Sequence, residues 1–405
     1  MAEKNFYAFG GIRNTVSNER LELGVRQKGG ADQRTDLVEA VNVDLDDTGR
    51  VSRRAGQEII VDDAAHSVWA EDDMCLFVQG SSLKRLGTDY AVTTLRTGMA
   101  SSAVRYTKVN DQVYWTNGTQ TGKIVAGVAR SWGIEIPLYP PFASGVYGSL
   151  TAGTYQYTMT FLRSDGQESG AGLAARIDLP ADSGLQFSWE APSDPDITDV
   201  SIYLSTADGE IMYQALVAPV GDLSATFTGG MLATPLNTQW FDAPPPGQDL
   251  TSLSGRIFIA SGAFIYATTA LGYDYVDMRD FLSIDNTTIR FVIGVTGGLY
   301  IGTEQEVYFA RGVKFDEMEL IPVVKGYGVA GSAVLADGFA ITGDERDIGA
   351  EFALFSTELG ICMGTPDGTV TNLTLDRYQT TMARSGAAVF RSDSAFTQYL
   401  LTMRE

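Results

Sequence analysis

Few residues in this chain have the type and spacing for chemistry. There is one histidine, His66, just ahead of the apolar pair Val68–Trp69. A lone His cannot build a multi-His metal site. As a catalytic base it needs a nucleophile motif, and no Gly-x-Ser-x-Gly is present. The segment Asp44–Leu45–Asp46–Asp47–Thr48–Gly49 begins like a calcium loop, but Ala55 stands where the bidentate Glu belongs. It reads instead as a strand, Val41–Asn42–Val43, that turns through Asp47–Thr48–Gly49 into a second strand. Gly118–Thr119–Gln120–Thr121–Gly122–Lys123–Ile124 imitates a phosphate loop. Its glycines stand one residue too close, and Ile124 replaces the Ser or Thr that would hold magnesium. Asn117, Asn286 and Asn372 each open an Asn-x-Thr triplet and read as turn residues. Cys75 and Cys362 lie in apolar, strand-like runs and are expected to be buried free thiols. With 50 carboxylates, counting alone leaves a glycosidase open, but no pair stands in an apolar pocket visible in the sequence. The expectation is no catalytic residue, no cofactor site and no metal site.

The elements that would position any such residues are strands. Gly is abundant, at 44 of 405 residues, beside Thr, Tyr, Phe and Val. That mixture suits short strands joined by tight turns. In Thr154–Tyr155–Gln156–Tyr157–Thr158–Met159–Thr160–Phe161 apolar residues fall at every second position, the mark of a strand with a buried face. The alternation returns at Leu185–Trp189 and Val200–Leu204, with further runs at 211–217 and 223–228. Turn chemistry separates them at Ser164–Asp165–Gly166, Ala181–Gly184 and Ala207–Asp208–Gly209. About seven short strands in a hundred residues predict a two-sheet sandwich. Trp189 on an inner strand resembles the fibronectin type III pattern.

Outside this region the rhythm is strand, Gly turn, strand, polar loop. Examples open at Leu76–Gly80, Val113–Gly118, Arg256–Gly262, Gly298–Gly302, Phe339–Gly343 and Ile361–Gly364. Their glycines recur at about 40 residues, the spacing of propeller blades. The expected fold is all-β: a β-propeller-like platform with an inserted fibronectin type III-like sandwich. Its parts are residues 1–141 (N-terminal arm, hairpin and first blades), 142–246 (the sandwich) and 247–405 (the remaining blades). Proline clusters at Pro137–Pro141 and Pro244–Pro246 mark the two joins as extended linkers.

The net charge is −21. Residues 1–56 balance, while residues 145–243 hold 12 acids against Arg163 and Arg176. Such a chain is a poor grip on nucleic acid, because grip comes from Lys and Arg neutralising phosphates. Either solubility or a wall that DNA passes without sticking accounts for it. The N-terminus does not read as a signal peptide, and no apolar run is long enough to predict a membrane span.

One stretch carries a resemblance. Val41–Asn42–Val43–Asp44 followed by Gly49–Arg50–Val51–Ser52–Arg53–Arg54–Ala55–Gly56 resembles a pattern near the N-termini of phage tail proteins. Ser254–Phe258 with Phe264–Thr268, and Gly298–Thr303 with Val307–Gly312, are similar to two further shared stretches. In this order they resemble the tail-nozzle (tail tubular protein B-like) structural proteins of short-tailed bacteriophages. Ala55, where Pro is common, and the modest length depart from the larger members. The resemblance implies a non-enzymatic virion subunit that assembles with copies of itself into a ring, a hexamer. The ring would lie below the portal and its adaptor (head-completion) protein and contact tail fibre or needle proteins. DNA would leave through it without specific binding, and no part would insert in a membrane. Its locations would be the virion tail and, during assembly, the host cytoplasm. Arg50, Arg53 and Arg54 form the expected assembly contact. A tail hub or fibre-attachment protein is the alternative; a propeller glycan-binding protein or hydrolase is the third.

Overall fold

The computed structural model describes residues 9–16, 25–26, 33–45, 49–54, 56, 58–284, 287–392 and 397–404. The fold is all-β and β-propeller-like, made mostly of small antiparallel sheets with an inserted sandwich. It packs as two units, residues 1–105, 248–254 and 284–405, and residues 106–247 and 255–283.

In the first unit, three four-stranded meanders have the anatomy of blades. One runs Ala65–Glu71, Met74–Gln79, Ser82–Leu86, Val92–Thr97. The next runs Ile289–Val295, Gly298–Thr303, Glu306–Arg311, Glu319–Lys325. The third runs Val334–Asp337, Glu351–Thr357, Gly360–Gly364, Val370–Asn372. Neighbouring strands are hydrogen-bonded in chain order, so each sheet forms from local turns. The last two sheets share a core of Phe291, Ile293, Tyr300, Phe309 and Phe355, with Cys362 buried among them. Tyr300 lies 4.8 Å from Phe309 and 5.5 Å from Phe355, ring centre to ring centre.

The recurring glycines, expected to be turns, divide into three physical roles. Gly80, Gly118 and Gly262 are turns in the left-handed region, with φ of 59°, 87° and 64°. Gly302 and Gly364 are strand residues: a Cβ on Gly302 would collide with the Phe291 ring, and one on Gly364 with the Tyr300 ring. Gly343 ends a helix. The expected strand at Phe339–Thr342 is a single helical turn, Gly338–Thr342. The Asp337 side chain caps it by accepting from the Ala340 N–H at 2.9 Å, and Gly343 closes it with φ 67°. The two caps outweigh the strand preference of Phe and Ile in so short a segment.

The second unit holds the sandwich. One sheet orders Phe142–Leu150, Ser183–Ser188 and Ser224–Phe227; the other orders Ala175–Leu179, Gly153–Arg163, Ile197–Ser205 and Met212–Pro219. The alternating run lies in Gly153–Arg163, with Tyr155, Tyr157, Met159 and Phe161 packed with Val200 and Ile202 of the adjacent strand and with Leu185 and Phe187 of the other sheet. Its polar positions are buried too. Thr158 Oγ1 donates to the Gly172 carbonyl and Thr160 Oγ1 to the Glu168 carboxylate, because the loop after Arg163 folds over the outer face. The segment before Phe142 belongs to this packing: Ile134 is part of the sandwich core, and Arg163 donates to the Gly133 carbonyl. Around the sandwich lie the meander Arg105–Val109, Gln112–Thr116, Thr121–Val125, Val128–Arg130 and the sheet Phe241–Asp242, Gly272–Ser283, Phe264–Thr269, Arg256–Ser261.

Candidate assembly site

Arg50, Arg53 and Arg54 stand on a short hairpin. Strands Val43–Leu45 and Val51–Arg53 pair antiparallel, with Val43 opposite Arg53 and Leu45 opposite Val51. Residues 46–48, where the turn was expected, and Ala55 lie outside the described residues. All three arginines are exposed. Asp44 is buried, and its Oδ1 accepts from Arg54 Nε at 3.3 Å. Arg391, on the strand Ser385–Ser392, reaches the same oxygen at 3.8 Å. One carboxylate thus faces two guanidiniums, those of Arg54 and Arg391. Asp44 is buried but both guanidiniums reach solvent, which screens the two pairs and keeps their contribution small, about 0–1 kcal/mol each. Sequence reasoning missed Arg391. It lies more than 300 residues from Asp44, and nothing in its neighbours distinguishes it from another surface cation.

Of the other singled-out residues, Asn286 lies outside the described residues. Lys123, from the glycine-flanked Gly118–Ile124 stretch, points into protein: its Nζ lies 2.8 Å from both oxygens of Asp274, and both side chains are almost wholly buried. Tyr114, whose ring centre is 5.2 Å from Trp132, sits close to this pair; burial first, then the Asp274 charge, pushes its phenol far above the usual range. His66 Nδ1 contacts Ser67 Oγ at 2.8 Å, and burial together with the Arg404 charge lowers its pKa. Asn117 closes its own turn, its Oδ1 accepting from the Thr119 and Gln120 N–H groups. Cys362 is buried as expected, whereas Cys75 is only partly buried; desolvation raises both thiols, away from reactive thiolate character.

Among the described residues Asp249 is the carboxyl whose pKa is raised most. It stands on the strand Asp249–Leu253, buried, and its Oδ2 accepts from the Val292 N–H at 3.0 Å. Two residues on, Thr251 Oγ1 accepts from the Gly294 N–H, also at 3.0 Å. Alternate side chains of one strand thus satisfy alternate N–H groups on the outer edge of Ile289–Val295. Desolvation raises the Asp249 pKa to about 6 against the opposing pull of Arg105 and two backbone N–H groups. A perturbed carboxyl is a catalytic signal when it opens on a cleft. Asp249 instead closes a strand edge. Among the described residues no group of three or more His, Cys, Asp or Glu side chains has the arrangement to hold a metal, and no helix is long and apolar enough to cross a membrane.

The sequence matches no family model and no curated protein. Among solved structures, a catalytically inactive virginiamycin B lyase from Staphylococcus aureus, crystallised with quinupristin, is 12% identical over 83% of this chain and 91% of that one, at a TM-score of 0.32. Apo AztD from Citrobacter koseri is 11% identical over 84% and 90%, at 0.29. The AfRom2 CNH domain is 7% identical over 84% and 94%, at 0.25. Likeness at this level transfers no residue and no activity to this chain.

Proposed function

We propose that this chain is a non-enzymatic structural subunit of a bacteriophage tail: a nozzle protein that joins copies of itself in a ring below the portal and adaptor and encloses part of the DNA exit channel. The observation that carries the reading is the order of three sequence stretches along one chain, around Val43–Arg53, Arg256–Thr268 and Gly298–Arg311. Each of them is a paired antiparallel hairpin. Charge supports it. The hairpin presents the exposed Arg53 and Arg54, with Arg391 beside Arg54, in a chain that carries an excess of 21 acids. A head-to-side contact of opposite charges is heterologous, and such contacts close into rings when the rotation permits. The charges would steer docking and set register more than add affinity. An acidic channel wall would repel phosphates and let DNA pass without being held.

The test is immunogold electron microscopy of virions from the phage carrying the gene, with an antibody against this chain. Gold at the tail, directly below the head, is expected. The paired change Arg53→Glu and Arg54→Glu should lower incorporation into virions while the isolated chain keeps its wild-type circular dichroism. Virions without the chain would end the reading. Normal incorporation of the double variant would remove the hairpin as the contact.

A further inference from the structure

The sandwich-bearing unit contains a groove of about 480 Å³. Its floor is Met159, Phe161 and Trp189, all buried. One wall is the proline-rich segment ahead of the first sandwich strand. Pro137 and Pro141 are buried and pin it. Between and beside them Leu138, Tyr139 and Phe142 are held 72%, 63% and 71% exposed. Gly170 and Gly172 let the segment lie this close: a Cβ on Gly172 would stand 2.7 Å from the Pro137 carbonyl oxygen. The opposite wall is Glu190–Ser193, fixed from across the groove by Glu135, whose carboxylate accepts from the Ser193 N–H and Oγ–H, each at 2.7 Å. Trp189 is fixed as well, its Nε1 donating to the Val220 carbonyl at 3.0 Å.

Three large apolar side chains within five residues, held in water beside an apolar floor, are not what folding alone selects; a concentrated exposed patch of this kind marks a contact surface. The walls are stiffened by proline and by hydrogen bonds, so little ordering entropy is lost when the groove fills. Its charge selects the occupant. Glu135 and Glu190 line the groove and no Lys or Arg does. The sandwich behind it has 12 acids against two cations over residues 145–243, and one of these, Arg163, is buried and paired with Asp194 at 2.8 Å. A cation approaching this groove meets a negative field.

We propose that the groove docks an extended segment of a partner protein, an apolar anchor side chain flanked by Lys or Arg. The anchor would rest on Trp189 between Tyr139 and Phe142, and the flanking cations would face Glu190. A sugar fits less well, because hydroxyls need unused polar groups, and the Trp189 N–H and both Glu135 oxygens are already bonded within the chain. A folded face is too large for a cavity in the size range of single small ligands. This assignment stands independently of the tail reading.

The experiment screens the full-length chain against a random hexapeptide bead library and measures the enriched peptide by fluorescence anisotropy. Enrichment of basic residues around an apolar anchor is expected, with affinity falling as salt rises. Tyr139→Ala and Glu190→Lys, with unchanged circular dichroism, should each weaken binding by about tenfold, the scale of a small hot-spot contact. Enrichment of acidic sequences, no enrichment, or equal binding by both variants would overturn the proposal. So would binding of oligosaccharides in place of peptides, or self-association of the chain that Tyr139→Ala abolishes.

Discussion

Replacing Asp249 with Asn separates two opposing effects in one buried group. Desolvation raises its pKa to about 6, while Arg105 and the N–H groups of Val292 and Leu250 pull it down. Because the folded value lies above the unfolded value of 3.8, the site's contribution to stability is fully present below about pH 4 and is lost as pH rises through 6. A shift of this size is worth about 3 kcal/mol in total, and about 1 kcal/mol of it falls between pH 5 and 7. Asn cannot titrate, yet its amide oxygen still accepts from Val292. The pH dependence of all other groups cancels when variant and wild type are compared. Urea unfolding at pH 5, 6 and 7, followed by far-ultraviolet circular dichroism, measures the difference. Tryptophan fluorescence supplies an internal control, since four of the five tryptophans lie in the other unit. Wild type should gain about 1 kcal/mol over the variant as pH falls from 7 to 5. Parallel curves would show that Asp249 does not titrate in this range. A loss in place of a gain would show that Arg105 outweighs desolvation and that the carboxylate is held as an ion pair.

Three further outcomes follow from buried geometry. Lys123→Ala strands the Asp274 carboxylate and should cost about 3–5 kcal/mol in urea unfolding, whereas the pair Lys123→Met with Asp274→Leu should return close to wild type. Trp189→Ala empties the floor of the sandwich groove and breaks its bond to Val220, for a loss of about 3–5 kcal/mol read by thermal unfolding. Asp337→Ala removes a helix cap and should cost about 1 kcal/mol, with faster hydrogen exchange at Ala340 as the local reading.

How much of this was legible beforehand depends on the range of the forces involved. Alternation at 154–161 named the strand Gly153–Arg163 and its inward face, because side-chain direction in a strand repeats every two residues whatever lies around it. The turns at Gly80, Gly118 and Gly262 were visible for a similar reason: a left-handed residue within a hairpin is a local requirement. The 40-residue rhythm was real in spacing but mixed in cause. Gly302 and Gly364 recur because Phe291 and Tyr300 press on them, and only packing reveals that. Phe339–Thr342 was misread because a one-turn helix has no periodicity to detect, and its state rests on the caps Asp337 and Gly343.

The sequence by itself determined the all-β class, the alternating sandwich strands, the turn glycines and the uneven charge, all of which follow from interactions within a few residues. Tertiary structure alone decided the pairings between distant residues. Asp44 faces Arg391, Lys123 faces Asp274, Asp249 caps Val292, and the proline segment forms the wall of a groove in place of a free linker. The reason is the same in each case. A carboxylate's partner, or the surface a proline rests on, depends on which strands the fold brings together, and no local pattern encodes a neighbour tens or hundreds of residues away.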